Sequence, residues 1–365
     1  MRFTILKIGA VVALVALTSW SLAAQRSTRA AGTGPALESI GPLAFGPTGV
    51  LFAADTEAAA IYALELGSQD GTTPGARDLP AIDQTIAALL GTDVREILVT
   101  DLAVHPQTRN AFMSVMRGQG TDSRAVLLRV DGAGKIDVLA LDGMKYTKAM
   151  LPNAPEATTG RRNPRVQSIT DMAYMDGKLI VAGLSNEEFS SKLRTIAYPF
   201  ATVDSGVSVE IYHGNHQQLE TRSPVYTFVP YVVDNEPTLI AGYLCTPLVK
   251  FPVSSLTPGS KVRGTTIAEL GAGNRPLDMI LYEKGGREYL LMSNNSRGVM
   301  KISTEGFGSA AAITAPVTTE TGGVPYETIA TMTGIEQLDK LNDSQSIVLA
   351  RAGNGSLDLQ AVALP

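Results

Sequence analysis

Short apolar stretches separated by polar turns recur along most of the chain. The clearest unit spans residues 169–200, where three apolar runs are separated by the pair Asp176-Gly177 and by a polar loop. An Asp-Gly pair between apolar runs is typical of a tight hairpin, because both positions of that turn tolerate positive φ. The unit therefore predicts three short antiparallel strands.

Five further units have the same pattern of short apolar runs and turns, with repeats of about 50 to 70 residues. Strand units repeated at this spacing predict an all-β fold, a six-bladed β-propeller, with a seventh blade left open inside an insert. Short helices are expected only at residues 82–90 and 334–341, so a parallel α/β sheet is disfavoured. The five further units cover residues 40–64, 99–141, 225–251, 276–302 and 327–364.

Composition fits a chain with a large core and many turns. Of 365 residues, 44% are hydrophobic and 18% are charged. The net charge of −5 gives no electrostatic reason to expect nucleic acid as a partner.

The N-terminus predicts export. Arg2 and Lys7 precede a short apolar run, and Ala23-Ala24 offers small residues for cleavage. We expect a signal peptide at residues 1–24, a linker at 25–37 and the propeller at 38–365, with an uncleaved anchor as the alternative. The mature chain shows no transmembrane segment. With Cys245 as the only cysteine, no intramolecular disulfide can form, which fits a periplasmic or secreted bacterial protein.

The stretch 40–55, Ile-Gly-Pro-Leu-Ala-Phe-Gly-Pro-Thr-Gly-Val-Leu-Phe-Ala-Ala-Asp, resembles the repeat of NHL and gluconolactonase-like six-bladed propellers. The resemblance implies a central site that could hold a divalent metal. In those enzymes a Glu before the first Gly-Pro binds the metal, but here Ile40 precedes Gly41-Pro42, and Glu38 lies two residues earlier. The resemblance therefore implies the architecture without the metal-ligand pattern. The quinoprotein dehydrogenase propellers compare less well, since the single tryptophan is Trp20 in the predicted signal.

Three aspartates, Asp101, Asp171 and Asp278, occupy matching positions where innermost strands are expected to begin. If they converge, mutual repulsion would favour a cation or a cationic ligand group. Alternatively, each could accept backbone N–H bonds within its own loop. Arg275 and Asn294 are expected on the same face, and with the aspartates they form the predicted ligand-binding set.

His213 and His216 form the one local pair of histidines, and they are the candidate metal ligands. A site needs a third protein ligand, for which Glu220, Asp171, Cys245 and Met279 are candidates. The alternatives are a polar loop that happens to contain two histidines and an inert, partly buried cysteine.

The repeat architecture, without a complete catalytic motif, predicts an exported module that binds an unknown small molecule or protein in the bacterial cell envelope. The alternative is a metal-dependent, lactonase-like hydrolase or an oxidoreductase with its site on the central face.

Overall fold

The repeated apolar runs form antiparallel strands that group into six small sheets. The structure, a computed structural model, describes residues 34–67, 78–158, 163–245 and 247–365, together with the backbone of strands Gln25–Arg26 and Thr28–Ala30. The predicted signal peptide lies outside these residues. In the Asp176-Gly177 turn, φ is 49° and 78°, and Met175 pairs directly with Lys178, as the Asp-Gly signal predicts.

The six sheets are the blades of a propeller, which confirms the predicted fold and the architectural resemblance. We number them I to VI by the chain order of their innermost strands. Blade I contains Leu43–Phe45, Val50–Asp55, Ala60–Glu65 and Tyr146–Met150, with Thr28–Ala30 at its edge. Blade II contains Ile97–Val104, Ala111–Arg117, Arg124–Val130 and Ile136–Val138. Blade III contains Asp171–Met175, Lys178–Leu184, Ser191–Ala197, Val207–His213 and Gln218–Glu220, and Lys261–Arg263 pairs parallel to its fourth strand.

The remaining three blades follow along the chain. Blade IV contains Thr227–Val233, Glu236–Gly242, Pro247–Pro252, Thr265–Glu269 and Gly322–Gly323. Blade V contains Pro276–Lys284, Arg287–Asn294, Gly298–Ser303 and Glu327–Thr328. Blade VI contains Ile335–Lys340, Gln345–Arg351, Leu357–Ala363 and, from far upstream, Asp78–Leu79.

A small sheet and short helices complete the described structure. Gln25–Arg26, within the predicted linker, pairs with Thr202–Val203. The predicted helix at residues 82–90 is confirmed as α1, Ile82–Leu90. Among the helices in the described ranges, none has the length and apolarity needed to cross a lipid bilayer. The short 3₁₀ helices are Pro47–Gly49, Val94–Glu96, Gly120–Asp122, Pro164–Gln167, Val253–Ser255 and Thr304–Gly306.

The helix expected at residues 334–341 is wrong, because Ile335–Lys340 is the innermost strand of blade VI. The run at 327–332, expected to be the first strand of this unit, contributes only Glu327–Thr328, at the outer edge of blade V. Ile335 and Leu338 are buried, whereas Gln337 and Asp339 line the central cavities. Polar residues on the channel side of this strand hide the apolar alternation that identifies the other innermost strands.

The order of blades around the axis differs from their order along the chain. The innermost strands contact one another in the ring I–III–IV–V–VI–II, and blade II closes the ring onto blade I. Blade II is therefore inserted between the third strand of blade I and its fourth strand, Tyr146–Met150. On the way to blade II, the chain adds Asp78–Leu79 to blade VI. Segments distant in sequence thus complete both blades.

The hydrophobic core is divided among the six interfaces between neighbouring blades. Each interface holds its own cluster of buried side chains. Within one strand, Phe52 packs toward blade III and Leu51 toward blade II. Because side chains alternate between the two faces of a strand and both faces are covered, these strands read as continuous apolar runs.

Candidate functional site

In the part of the chain that the structure describes, two cavities lie along the axis of the propeller. The larger, about 980 Å³, opens where the innermost strands begin, and every blade contributes to its wall. A smaller cavity of about 360 Å³ lies toward the opposite end. Asp101, Asp171 and Asp278 line both cavities, so they mark the boundary between them. We call these three residues the aspartate floor. The larger volume is in the range of known small-molecule sites.

Each aspartate of the floor is held by two backbone N–H groups. One of these donors belongs to the innermost strand of the next blade, so the carboxylate joins two blades. For Asp171 and Asp278 the second bond comes from the residue that follows, at 2.7 Å from Met172 and 2.8 Å from Met279. The bonds between blades run from Leu43 N–H to Asp101 Oδ2 (2.6 Å), from Phe228 N–H to Asp171 Oδ2 (2.7 Å) and from Leu338 N–H to Asp278 Oδ2 (2.9 Å).

Two channel residues of blade VI were missed by the sequence interpretation. Asp339 accepts N–H bonds from Val104 of blade II and from Lys340, both at 2.6 Å, and it lines only the smaller cavity. Gln337 stands where blades II, III and V place an aspartate. With its amide nitrogen turned toward the floor, it donates to Asp278 Oδ2 (3.1 Å) and Asp101 Oδ1 (3.0 Å). A correct strand assignment at 335–340 would have identified both residues.

The channel raises the pKa of every one of these carboxyl groups, first through desolvation. The pKa of Asp171 rises to about 7 and that of Asp339 to about 6. The pKa values of Asp101 and Asp278 lie well above the usual range, because desolvation is reinforced by repulsion from the neighbouring carboxylates. Near neutral pH the floor therefore retains protons, and it would release them on meeting a cation.

The two polar residues predicted beside the aspartates occupy different environments. Arg275 is exposed, lines the larger cavity and lies over the ring of Tyr226, with 6.0 Å between Cζ and the ring centroid. Asn294 is buried, donates to Asn274 Oδ1 (2.8 Å), accepts N–H bonds within its own turn and is not among the residues that line this cavity. Its contacts hold the loop that presents Arg275.

The two histidines lie close together, at the end of the propeller where the larger cavity opens. His213 ends the fourth strand of blade III, and its ring centroid is 3.7 Å from that of His216 in the following loop. Cys245, in the loop between two strands of blade IV, completes a group whose ligand atoms all lie within 4.8 Å of one another. Of the third ligands considered from the sequence, Cys245 joins the pair, whereas Asp171 belongs to the channel. We call the three the histidine–cysteine cluster.

Two glutamates flank this cluster. Glu220 Oε1 lies 2.5 Å from His216 Nδ1 and 3.1 Å from His213 Nδ1. Desolvation opposes the ionisation of Glu220, but the contacts with both histidines outweigh it and lower its pKa to about 2. Glu269, fully buried and missed by the sequence interpretation, accepts the Gly214 N–H at 2.5 Å. Burial raises the pKa of Glu269.

No known family model and no curated protein matches the sequence. Among solved structures, the chain is similar to a putative oxidoreductase (glucose dehydrogenase) from Thermus thermophilus, with 14% identity, a TM-score of 0.35, and coverage of 92% of this chain and 99% of that one. It is also similar to the PQQ-bound aldose sugar dehydrogenase of Streptomyces coelicolor, with 12% identity, a TM-score of 0.29, and coverage of 93% and 99%. A third similar structure is a streptogramin B lyase, with 8% identity, a TM-score of 0.30, and coverage of 93% of this chain and 98% of that one. Scores at this level transfer no activity to the chain.

Proposed function

We propose that the protein binds a small ligand with a cationic group in the 980 Å³ cavity, with the group resting on the aspartate floor. The observation that carries this proposal is the convergence of three carboxyl groups from three blades. Within the described ranges, none of the three forms an ion pair with a lysine or arginine side chain, so the negative charge that they acquire on losing their protons has no protein counter-ion. A cation would supply it.

The rim supports the same proposal by providing groups for the rest of the ligand. Tyr226 offers an aromatic ring, and Arg275 offers a guanidinium that can bind an anionic part of the ligand. A zwitterion such as an amino-acid derivative could place its cationic group on the aspartate floor and its anionic group at Arg275. We further propose that the protein acts outside the cytoplasm, in the bacterial periplasm or as a secreted protein, on the basis of the predicted signal at residues 1–24.

The alternative proposal, a metal-dependent hydrolase or oxidoreductase, has less support in the channel. The carboxylates of Asp171 and Asp278 are already engaged by backbone N–H groups of two blades. The nearby nitrogen and sulfur ligands lie in the separate histidine–cysteine cluster.

The proposal is tested by calorimetric titration of the full chain with small amines, guanidinium compounds and amino acids, each paired with a neutral analogue of the same size. We expect amines to bind and neutral analogues to fail. Affinity should rise as the pH passes through about 7, because Asp171 loses its proton there. Binding of the neutral analogues with equal affinity, or no binding by any cation, would refute the cationic specificity.

A matched pair of variants separates binding from structure. Asp171→Asn and Asp339→Asn each remove one of two oxygens that accept backbone N–H bonds, but only Asp171 faces the larger cavity. We expect Asp171→Asn to weaken amine binding about tenfold or more, which is about 1.4 kcal/mol, and Asp339→Asn to change it much less. Equal losses in the two variants would contradict the proposed role of the floor.

A further inference from the structure

We propose that His213, His216 and Cys245 bind a zinc ion through two imidazole nitrogens and one thiolate. The site is built from two blades, with the histidines at the edge of blade III and the cysteine in a loop of blade IV. It is separate from the channel cavities, whose walls do not include these residues. The inference therefore does not depend on the proposed cation-binding function.

The first support is an unsatisfied buried imidazole. His213 is fully buried, and among the described residues neither its Nδ1 nor its Nε2 has a hydrogen-bond partner. Glu269 Oε2 lies 3.6 Å from Nε2 and is itself buried and without a hydrogen-bond partner in the same part of the chain. Two unpartnered atoms that can both donate a lone pair face the same space. Buried polar atoms are rarely left in this state, so the buried imidazole of His213 has a nitrogen available to a metal ion.

The second support is the position of Glu220. Its Oε1 approaches the Nδ1 atoms of both histidines, at 2.5 Å and 3.1 Å. The hydrogen bond between Glu220 and His216 favours the tautomer in which the hydrogen of His216 is on Nδ1, which leaves its Nε2 with a free lone pair. Metal-bound histidines commonly have such a carboxylate partner, which fixes the ring orientation and the tautomer. Glu220 is therefore a positioning residue rather than a ligand.

The donor set selects the class of ion. Calcium and magnesium prefer oxygen ligands, whereas imidazole and thiolate suit zinc and the later first-row metals. Three protein ligands leave one position of a tetrahedral zinc site for another donor. The His216 side chain is 42% exposed, so an ion can reach the cluster from solvent. Cys245 is held toward it by its own N–H bond to Asn274 O at 2.7 Å.

The site would also connect the rim of the channel to the outer part of the propeller. Asn274, the acceptor for Cys245, directly precedes Arg275 on the rim of the larger cavity. Bound zinc would join blade III to this loop of blade IV. Removal of the metal should therefore lower the thermal stability of the chain without emptying the channel site.

The test uses the full chain after dialysis against a chelator, titrated separately with Zn²⁺ and Co²⁺. We expect one metal ion per chain and, with Co²⁺, a near-ultraviolet charge-transfer band that reports a cobalt–thiolate bond. Cys245→Ser should abolish this band and His216→Ala should weaken zinc binding about 100-fold or more. Both side chains are at least partly exposed, so these variants are expected to fold, which far-UV circular dichroism checks.

A second pair of variants tests the positioning role. Glu220→Gln should weaken zinc binding about 10- to 100-fold while the cobalt–thiolate band is retained. Glu210→Gln is the matched control, because Glu210 lies on the strand that ends at His213 but pairs with Arg263, 2.7 Å away. Absence of stoichiometric metal binding, or a cobalt spectrum unchanged by Cys245→Ser, would overturn the proposal. Loss of amine binding in the channel would leave it unaffected.

Discussion

At the scale of single residues, the aspartates of the channel both join neighbouring blades and concentrate carboxyl groups at the axis. Asp101, Asp171, Asp278 and Asp339 each accept an N–H bond from the innermost strand of the neighbouring blade. The sequence analysis considered such bonds only within each residue's own loop and only for the first three aspartates, whereas the bonds in the structure also join neighbouring blades. The same geometry concentrates carboxyl groups in a desolvated space, so the structural role creates the electrostatic one.

The raised pKa of Asp171 predicts how stability depends on pH. Between the ordinary value of 3.8 and about 7, the folded protein keeps a proton on Asp171 that the unfolded chain releases. The stabilising contribution of this group is thus complete below the unfolded-state pKa and is lost as pH rises through about 7. The free energy of unfolding of the wild type, relative to Asp171→Asn, should fall by on the order of 2 kcal/mol from about pH 5 to about pH 8.

Urea denaturation at several pH values measures this difference. Asp101 and Asp278 line the same cavity, so the change belongs to three interacting carboxyl groups and not to Asp171 alone. Asp343→Asn is the control, because Lys340 lowers the pKa of Asp343 and its substitution should not reproduce the decline. A constant difference between the wild type and Asp171→Asn across this range would show that Asp171 is ionised at all these pH values.

At the scale of elements, helix α1 completes an interface that two blades alone would leave open. Ile82 and Ile86 are fully buried in the cluster formed by blades II and VI, where Leu102 and Ile347 also pack. Replacing Ile86 with alanine should lower the free energy of unfolding by about 2–5 kcal/mol, because the neighbouring strands cannot move in to fill the cavity.

The same helix provides the control for this prediction. Leu89 is 47% exposed, so Leu89→Ala should change the free energy of unfolding by no more than about 0.5 kcal/mol. Chemical denaturation of both variants measures the contrast. Equal effects would mean that α1 is not docked between blades II and VI.

The individual elements were largely predictable from the sequence, because burial on both faces produces apolar runs that turns interrupt. The exception is Ile335–Lys340, the innermost strand of blade VI. Its side chains that face the channel are the polar residues Gln337 and Asp339, so its sequence lacks the apolar run by which the other strands were recognised. The histidine pair was visible because its members are three residues apart. Its association with Cys245 and Glu269 depends on how blade III packs against blade IV, which no local pattern records.

At the scale of the whole molecule, the interleaved chain path could not be predicted from repeats. Units that follow one another along the chain are expected to form neighbouring blades. Blade II instead lies between blades I and VI, away from blade III, and its sequence separates the third and fourth strands of blade I. The segment 78–79, which joins blade VI, comes from the connection into blade II. Blades I and VI are therefore complete only when segments distant in sequence come together.

This path predicts a single cooperative unfolding transition. Releasing blade II would strip Asp78–Leu79 from blade VI and Tyr146–Met150 from blade I, so partial unfolding would expose several interface cores at once. Hydrogen exchange monitored by mass spectrometry at increasing urea concentrations should show blades II, III and IV losing protection at one common midpoint. Ile86→Ala should move that midpoint for all of them, although blades III and IV do not contact α1. If blade II lost protection at a lower urea concentration than blade III, the two long-range strands would not couple the blades, and the ring would instead behave as a series of separable units.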